Sequence, residues 1–309
     1  MTISYKTAFP AGMTVTGKWN KAQYRIERLI GEGANGKVYL VSRGSTQYAM
    51  KMGFDAVDHQ SEINVLTHLS TKPGSFQRYL VDADDFHWQG GDTSFYVMKY
   101  FKGQRLSAFL KQHGREWLGL VGLNLLRKLK ELHTHGWIFG DLKMENILVS
   151  GYGEVELVDF GGVTAKGRSV KQFTEMYDRG YWGAGTRTAD EAYDLFSFAV
   201  LFMQAGGAKD SLPKPHAHEA RTPELLLAEL SNDPELSWLS AFLRKALSQQ
   251  FRSSQEAYAE WKRLVYDPEA GKSRSRSVKK TRGGWLKVGF FGSVLLFLGA
   301  VYVYWQQSP

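Results

Sequence analysis

Phe139-Gly140-Asp141-Leu142-Lys143-Met144-Glu145-Asn146-Ile147-Leu148, followed thirteen residues after Asn146 by Asp159-Phe160-Gly161, is the stretch on which the fold of this chain turns. Phosphoryl transfer needs a carboxylate to orient and deprotonate a hydroxyl, a cation on the moving phosphoryl group, and oxygen ligands for a divalent metal. Asp141, Lys143, and the pair Asn146 with Asp159 are candidates for these parts in turn. A lone Asp or Lys is usually a solvated charge. The weight lies in several motifs standing in one order.

Toward the N-terminus, Gly31–Val38 reads GEGANGKV, a G-x-G-x-x-G-x-V pattern between two strand-like runs, Tyr24–Leu29 and Lys37–Val41. Glycines there let backbone N–H groups close over phosphates that side chains would push away. Alone the pattern is also that of a hairpin turn. Lys51 follows at the end of a third short strand, placed to hold α- and β-phosphates, and Glu62 opens a helical run to Leu69 that can pair with it. Alternating runs at Tyr79–Phe86 and Phe95–Tyr100 predict two more strands. Beyond Phe101 helical spacing dominates, in Leu106–Leu110, Leu118–Leu132 and Tyr193–Val265, with one β-like stretch at Ile147–Val158. Residues 1–19 show no clear periodicity and are expected to be an extension.

On these five spaced motifs, residues 20–265 resemble the Hanks-type (eukaryotic-like) protein kinases. The resemblance implies an α+β bilobal fold, with a five-stranded β N-lobe carrying one helix (20–98), a hinge (99–101) and an α-helical C-lobe (102–265). It implies ATP in the cleft, under Gly31, Gly33, Gly36 and Val38, held by Lys51 and Glu62. Met98 falls near the gatekeeper position and Lys99, Tyr100 and Phe101 at the hinge. It makes Asp141 and Lys143 catalytic, Asn146 and Asp159 ligands of Mg2+ (or Mn2+), and Phe160, Gly161 and Asp194 structural supports. Lys143 favours Ser/Thr acceptors on protein substrates over Tyr, and self-phosphorylation is expected. Arg252 matches the late arginine of the family.

Several positions depart from the family pattern. Phe139-Gly140 stands where His-Arg is usual, which removes the cation that reads a phosphate on the activation loop. Phe139 is still apolar and suited to stack with Phe160 and Leu66. Thr174-Glu175-Met176-Tyr177 is comparable to the substrate-docking turn, but Arg179-Gly180-Tyr181 replaces Ala-Pro-Glu and leaves Arg252 without its expected carboxylate. Gly140-Asp141 is also similar to the aminoglycoside and choline phosphotransferases, so a small-molecule kinase is one alternative and a pseudokinase scaffold another. The lysine two residues after Asp141, the full Asp-Phe-Gly and Asp194 favour a protein kinase.

The formal charge of +8 is local. Residues 271–309 hold Lys272, Arg274, Arg276, Lys279, Lys280, Arg282 and Lys287 and no acid, leaving 32 basic against 31 acidic residues in 1–270. These seven cations are a candidate polyanion-binding tail, for anionic lipid or for DNA without sequence choice. Ser273, Ser275 and Ser277 among them are candidate sites of self-phosphorylation that would release it. Val288–Trp305 is 18 residues without a charge, about 27 Å of helix, long enough to span a bilayer. With 266–287 as a basic juxtamembrane linker, the positive-inside bias keeps the large domain cytoplasmic and sends only 306–309 across. Gly289 and Ser293 form a small-x-x-x-small pair suited to a homodimer.

That layout resembles the small, C-terminally membrane-anchored YabT-like kinases of spore-forming bacilli, a resemblance that implies DNA as an activating ligand. The absence of cysteine excludes disulfides, thiol catalysis and Cys-based metal sites, and MTISYKTAFPAG lacks a signal-peptide run, so no cleaved export signal is expected. The i, i+2 pairs His133/His135 and His216/His218 do not share a helix face, so a structural role is expected for His133.

Overall fold

Strand-forming sequence dominates the first third of the chain. The computed structural model describes residues 8–33, 35–88, 90–207 and 221–267. Its first elements are β1 (Thr14–Thr16), β2 (Gln23–Gly33), β3 (Gly36–Arg43), β4 (Thr46–Gly53), α1 (Ala56–Ser70), β5 (Leu80–Trp88) and β6 (Gly91–Lys99). The strands form one antiparallel sheet in the order β1-β2-β3-β4-β6-β5. Tyr24, Ile26, Tyr39, Val41, Met50, Phe95 and Val97 build a core on one face. The opposite face meets α1 through Ile63, Val65, Leu66 and Leu69, which join the core running on into the helical part.

The sheet has six strands, not the expected five, and the predicted extension is part of it. Ile26 exchanges backbone bonds with both Gly12 and Met13, at 2.7 and 2.8 Å. Val15 is fully buried, and Phe9 packs edge-on to Phe86 and Trp88. The Asp84 carboxylate accepts from the backbone N–H groups of Trp19 and Asn20, at 3.0 and 2.9 Å. A three-residue strand with one inward apolar side chain leaves no periodicity to read. It is held by pairing and by that distant carboxylate.

Helix α1 begins at Asp55, whose carboxylate accepts from the N–H groups of Val57 and Asp58, a cap worth about 1 kcal/mol. One turn on, His59 is buried and stacked on Tyr96 at 5.0 Å, and neither ring nitrogen has a hydrogen-bond partner. Burial, and then the charge of Lys51, hold its pKa down at about 4. In the unfolded chain it titrates near 6.5, about the ordinary value. The unfolded state therefore takes up a proton first as pH falls, and stability present above about pH 6.5 is lost toward pH 4. His59→Leu removes two orphaned polar atoms, each costing about 1–3 kcal/mol when buried. The variant is expected to melt no lower than the wild type at pH 7 and to lose less stability at pH 5. A lower melting temperature at both pH values would contradict this.

The second part contains β7 (Gln104–Arg105), α2 (Leu106–His113), α3 (Leu118–Thr134), β8 (Trp137–Ile138), β9 (Ile147–Val149), β10 (Val155–Leu157), β11 (Thr164–Ala165), α4 (Glu191–Gly206), α5 (Pro223–Asn232), α6 (Ser240–Leu247) and α7 (Ser254–Tyr266). α4 is the central helix, buried along almost its whole length. Trp261 of α7 meets Phe198, Phe202 and Phe242 and donates its indole N–H to the Gly119 carbonyl at 2.9 Å. Tyr266, expected to open the linker, instead ends α7; residues 268–309, which hold the rest of the expected linker with its seven cations, the apolar segment and the terminal four residues, lie outside the described residues, as do His216 and His218. Among the described residues no helix is long and apolar enough to cross a membrane.

Candidate active site

Where the sheet faces the helical part, a cleft of about 610 Å³ opens. Its roof is the turn joining β2 to β3. Gly36 there has φ +152°, and a Cβ would meet the Met52 carbonyl oxygen at 2.2 Å, so the backbone lies closer than any side chain allows. Gly31, Gly33, Gly36 and Val38 line the cleft from above, and Met98, Lys99, Tyr100 and Phe101 line the connection between the two parts. Val38, Ala49, Met98, Leu148 and Val158 give its inner end apolar walls, the lining a flat aromatic base requires.

Strand register positions the cation. Lys51 on β4 stands opposite Val38 on one side and Tyr96 on the other. Its ammonium donates to both Glu62 oxygens at 2.7 Å and to Asp159 Oδ1 at 2.9 Å. Tyr96 donates its hydroxyl to Glu62 Oε2 at 2.7 Å. Burial pulls the ammonium pKa down, but Glu62 and Asp159 more than offset this and leave it above its ordinary value. Lys51 therefore stays charged and is aimed into the cleft. Glu62 sits behind it, out of the lining, as a support. Tyr96 escaped the sequence analysis because only the strand register brings it to Glu62.

The stretch 139–148 runs as an extended loop under the cleft, tied from below by α4. Asp194, fully buried, accepts from the Phe139 N–H at 2.7 Å and the Gly140 N–H at 2.9 Å. His133 Nε2 lies 2.8 Å from the same carboxylate, the structural role expected of it. Gly140 has φ +80°, and a Cβ would meet the Gly162 carbonyl oxygen at 2.8 Å. An arginine here would have neither the conformation nor the room, so the loop's departure from His-Arg is built into its path. Phe139 and Phe160 meet edge-on at 6.1 Å within the core that contains Leu66.

The four polar residues singled out from the sequence converge on the cleft floor. Lys143 donates to Asp141 Oδ2 at 2.5 Å, and Asn146 Nδ2 donates to the Asp141 carbonyl at 2.9 Å. Asp159 takes a left-handed backbone, φ +64°, a strained setting for a residue other than glycine. It points its carboxylate at Lys51 while Phe160, next in sequence, is buried. Thr174 completes the group: its hydroxyl donates to Asp141 Oδ1 at 2.8 Å and lies 3.3 Å from Lys143 Nζ. The sequence placed Thr174 in a docking turn but did not join it to Asp141, 33 residues away. Asn35 on the glycine turn donates to Gln172 at 3.0 Å across the cleft mouth, and Lys171 donates to Ser61 of α1 at 2.6 Å. Neither contact has a signal in residue spacing.

Beyond this segment lies Arg252, the late arginine that the missing Ala-Pro-Glu leaves without its expected carboxylate. Its side chain is exposed, and its backbone N–H donates to Glu256 at 2.8 Å. The buried arginine is Arg179, paired with Asp190.

Two features test whether Mg2+ fits. Asn146 spends its amide N–H on the Asp141 carbonyl, which leaves an amide oxygen, and Asp159 has a half-open carboxylate on the cleft. One carboxylate and one amide oxygen suit Mg2+ bound jointly with phosphate oxygens. Among the described residues no group of three or more His, Cys, Asp or Glu could hold a metal.

A sequence profile of the protein kinase domain matches residues 24–253. The serine/threonine-protein kinase YabT of Bacillus subtilis (strain 168) is 37% identical over 250 residues, 79% of this chain and 72% of that protein. The serine/threonine-protein kinase STE20 of Yarrowia lipolytica is 25% identical over 220 residues, 69% of this chain and 19% of its own. The eye isozyme of protein kinase C from Drosophila melanogaster is 31% identical over 211 residues, 64% of this chain and 29% of its own.

Proposed function

Because this chain belongs to the protein kinase family and is a serine/threonine protein kinase, we propose that it is a membrane-anchored form whose basic tail turns it on when a polyanion binds. The observation that carries the catalytic half is the meeting of Asp141, Lys143 and Thr174 on the floor of the cleft, where Asp159 receives Lys51 from above.

Protein kinase domains use ATP and Mg2+. The apolar walls take the base, the glycine turn covers the phosphates, and Lys51 holds the α- and β-phosphates. Asp159 and Asn146 would hold Mg2+, or Mn2+ in its place, and the chemistry it supplies when bound is neutralisation of charge across the phosphate oxygens. Asp141 orients the acceptor hydroxyl and takes its proton. Lys143, whose ammonium already touches Asp141, stabilises charge on the phosphoryl group in flight. Thr174 fixes the Asp141 rotamer from the acceptor side.

The regulatory half rests on charge placement. The body is near neutral and seven cations stand together just before an 18-residue apolar run. With Gly140 in place of an arginine, no cation at that position reads a phosphate on the activation segment, so the signal comes from elsewhere. Seven cations with no acid among them support a role for the tail, with duplex DNA or anionic lipid neutralising its charge.

The test is transfer of labelled γ-phosphate from Mg·ATP by the full chain in neutral micelles, onto itself and onto histone. Each reaction runs alone, with duplex DNA, and with phosphatidylserine vesicles, at low and moderate salt. Stimulation by one polyanion that fades as salt rises is the expected result. Label on protein that no polyanion changes would leave the kinase and remove the switch. ATP binding without label on protein would favour a small-molecule kinase or a pseudokinase.

A further inference from the structure

Arg179 is 3% exposed, yet its guanidinium is fully satisfied. Nε donates to the Thr186 carbonyl at 2.7 Å. Nη1 donates to Asp190 Oδ1 at 2.8 Å and Gln249 Oε1 at 2.9 Å, and Nη2 to Asp190 Oδ2 at 2.7 Å and the Thr188 carbonyl at 3.0 Å. A guanidinium has five N–H donors in a planar fork, and all five are spent. The bidentate grip on Asp190 is one that a lysine cannot copy. The face of the group also lies 5.4 Å from the Tyr193 ring.

These acceptors belong to two pieces of chain, residues 186–190 and Gln249. Thr186 and Thr188 lie on the loop leading into α4. Asp190 caps α4, accepting from the Tyr193 N–H at 2.9 Å. Gln249 lies in the turn after α6, with its own amide donating back to the Ala184 carbonyl. Arg179 itself stands two residues after Tyr177, in a segment fastened at each step toward the cleft. Tyr193 donates its hydroxyl to Asp178 at 2.9 Å, Ser197 donates to the Tyr177 carbonyl at 2.8 Å, and Trp182 donates to the Met176 carbonyl at 2.9 Å. The last link is Thr174 on Asp141.

We propose that Arg179 is the positioning residue of the acceptor-docking segment: it clamps residues 174–182 to α4 and thereby sets where the protein substrate lies against Asp141. The inference rests on the kinase reading and on Thr174–Tyr177 as the docking turn. It separates the two substrates, because the side chains lining the inner cleft are held by other bonds. A small displacement of the docking turn misplaces the acceptor hydroxyl and leaves the nucleotide where it was. Gly140 and Arg179 are then connected: a segment clamped by an internal guanidinium does not need a phosphate to order it.

The experiment measures KM for histone and for ATP, with kcat, in the full chain carrying Arg179→Lys, Asp190→Asn, or both. Arg179→Lys keeps the charge and loses the fork. Asp190→Asn keeps an oxygen for the Tyr193 cap and loses the charge. Each is expected to raise the histone KM about tenfold while the ATP KM stays within about twofold. The double variant should be little worse than either single, since both break one clamp. If Arg179→Lys does not fold, Asp190→Asn carries the test alone. A histone KM within about twofold of wild type, or an ATP KM raised as far as the histone KM, overturns the proposal. Failure of the kinase reading itself would show as no label on histone from the wild type.

Discussion

Asp141→Asn is expected to lower kcat by about two to four orders of magnitude while leaving ATP affinity within about twofold, since a general base contributes about 10²–10⁴. The substitution keeps the shape of the side chain and one oxygen acceptor. It removes the negative charge that Lys143 and Thr174 approach from two sides at 2.5 and 2.8 Å. Nothing that covers the nucleotide depends on it: Lys51 is held by Glu62 and Asp159, and the hinge lies at the far end of the cleft. Initial rates of labelled phosphate transfer and a nucleotide titration decide the matter together. A variant that transfers phosphate within about threefold of the wild-type rate would take Asp141 out of the proton-transfer role.

Asp194→Ala has a comparable effect on stability. One carboxylate with no exposure satisfies two backbone donors and a histidine ring, and nothing else described reaches those N–H groups. Orphaned buried donors cost about 1–3 kcal/mol each, so the loss is about 3–5 kcal/mol, which lowers the melting temperature of a domain this size by about 6–20 °C. Activity should fall with it, because the two freed amides belong to the residues just before Asp141. Asp194→Asn, which keeps one acceptor oxygen, should lie between. A melting temperature for Asp194→Ala within about 2 °C of wild type would show that the loop is held by other means.

The parts legible in the sequence are those that the chemistry confines to short spans. Glycines 31, 33 and 36 must share a turn. Asp141, Lys143 and Asn146 must share a loop, and their spacing survives in any chain that uses them. Lys51 and Glu62 were legible as a pair because a strand end and a helix opening stand eleven residues apart. What stayed hidden joins residues far apart by contacts that only the folded chain makes: Tyr96 on Glu62, Thr174 on Asp141, Asn35 on Gln172. Arg179 is the sharpest case. In the sequence it stands where the family pattern has the Ala of Ala-Pro-Glu, and nothing local shows that five acceptors from two pieces of chain surround it. Arg252, expected to lack its carboxylate, lies exposed in the structure. Strand β1 was hidden for another reason, since one buried valine carries no period.

The sheet's two outer strands bear on how the protein behaves at high concentration. Unpaired strand edges recruit other chains, and short or charged edges resist this. One edge here is the three-residue β1, which masks the eleven-residue β2 and offers little length to a newcomer. The other is β5, part of which residues 18–20 already cover: Lys18 N–H donates to the Asp85 carbonyl at 2.7 Å, and the Trp19 and Asn20 N–H groups are held by Asp84. A segment that contributes no catalytic group thus guards against self-association, and the packed sheet already includes Phe9, upstream of Tyr24 where the family likeness begins.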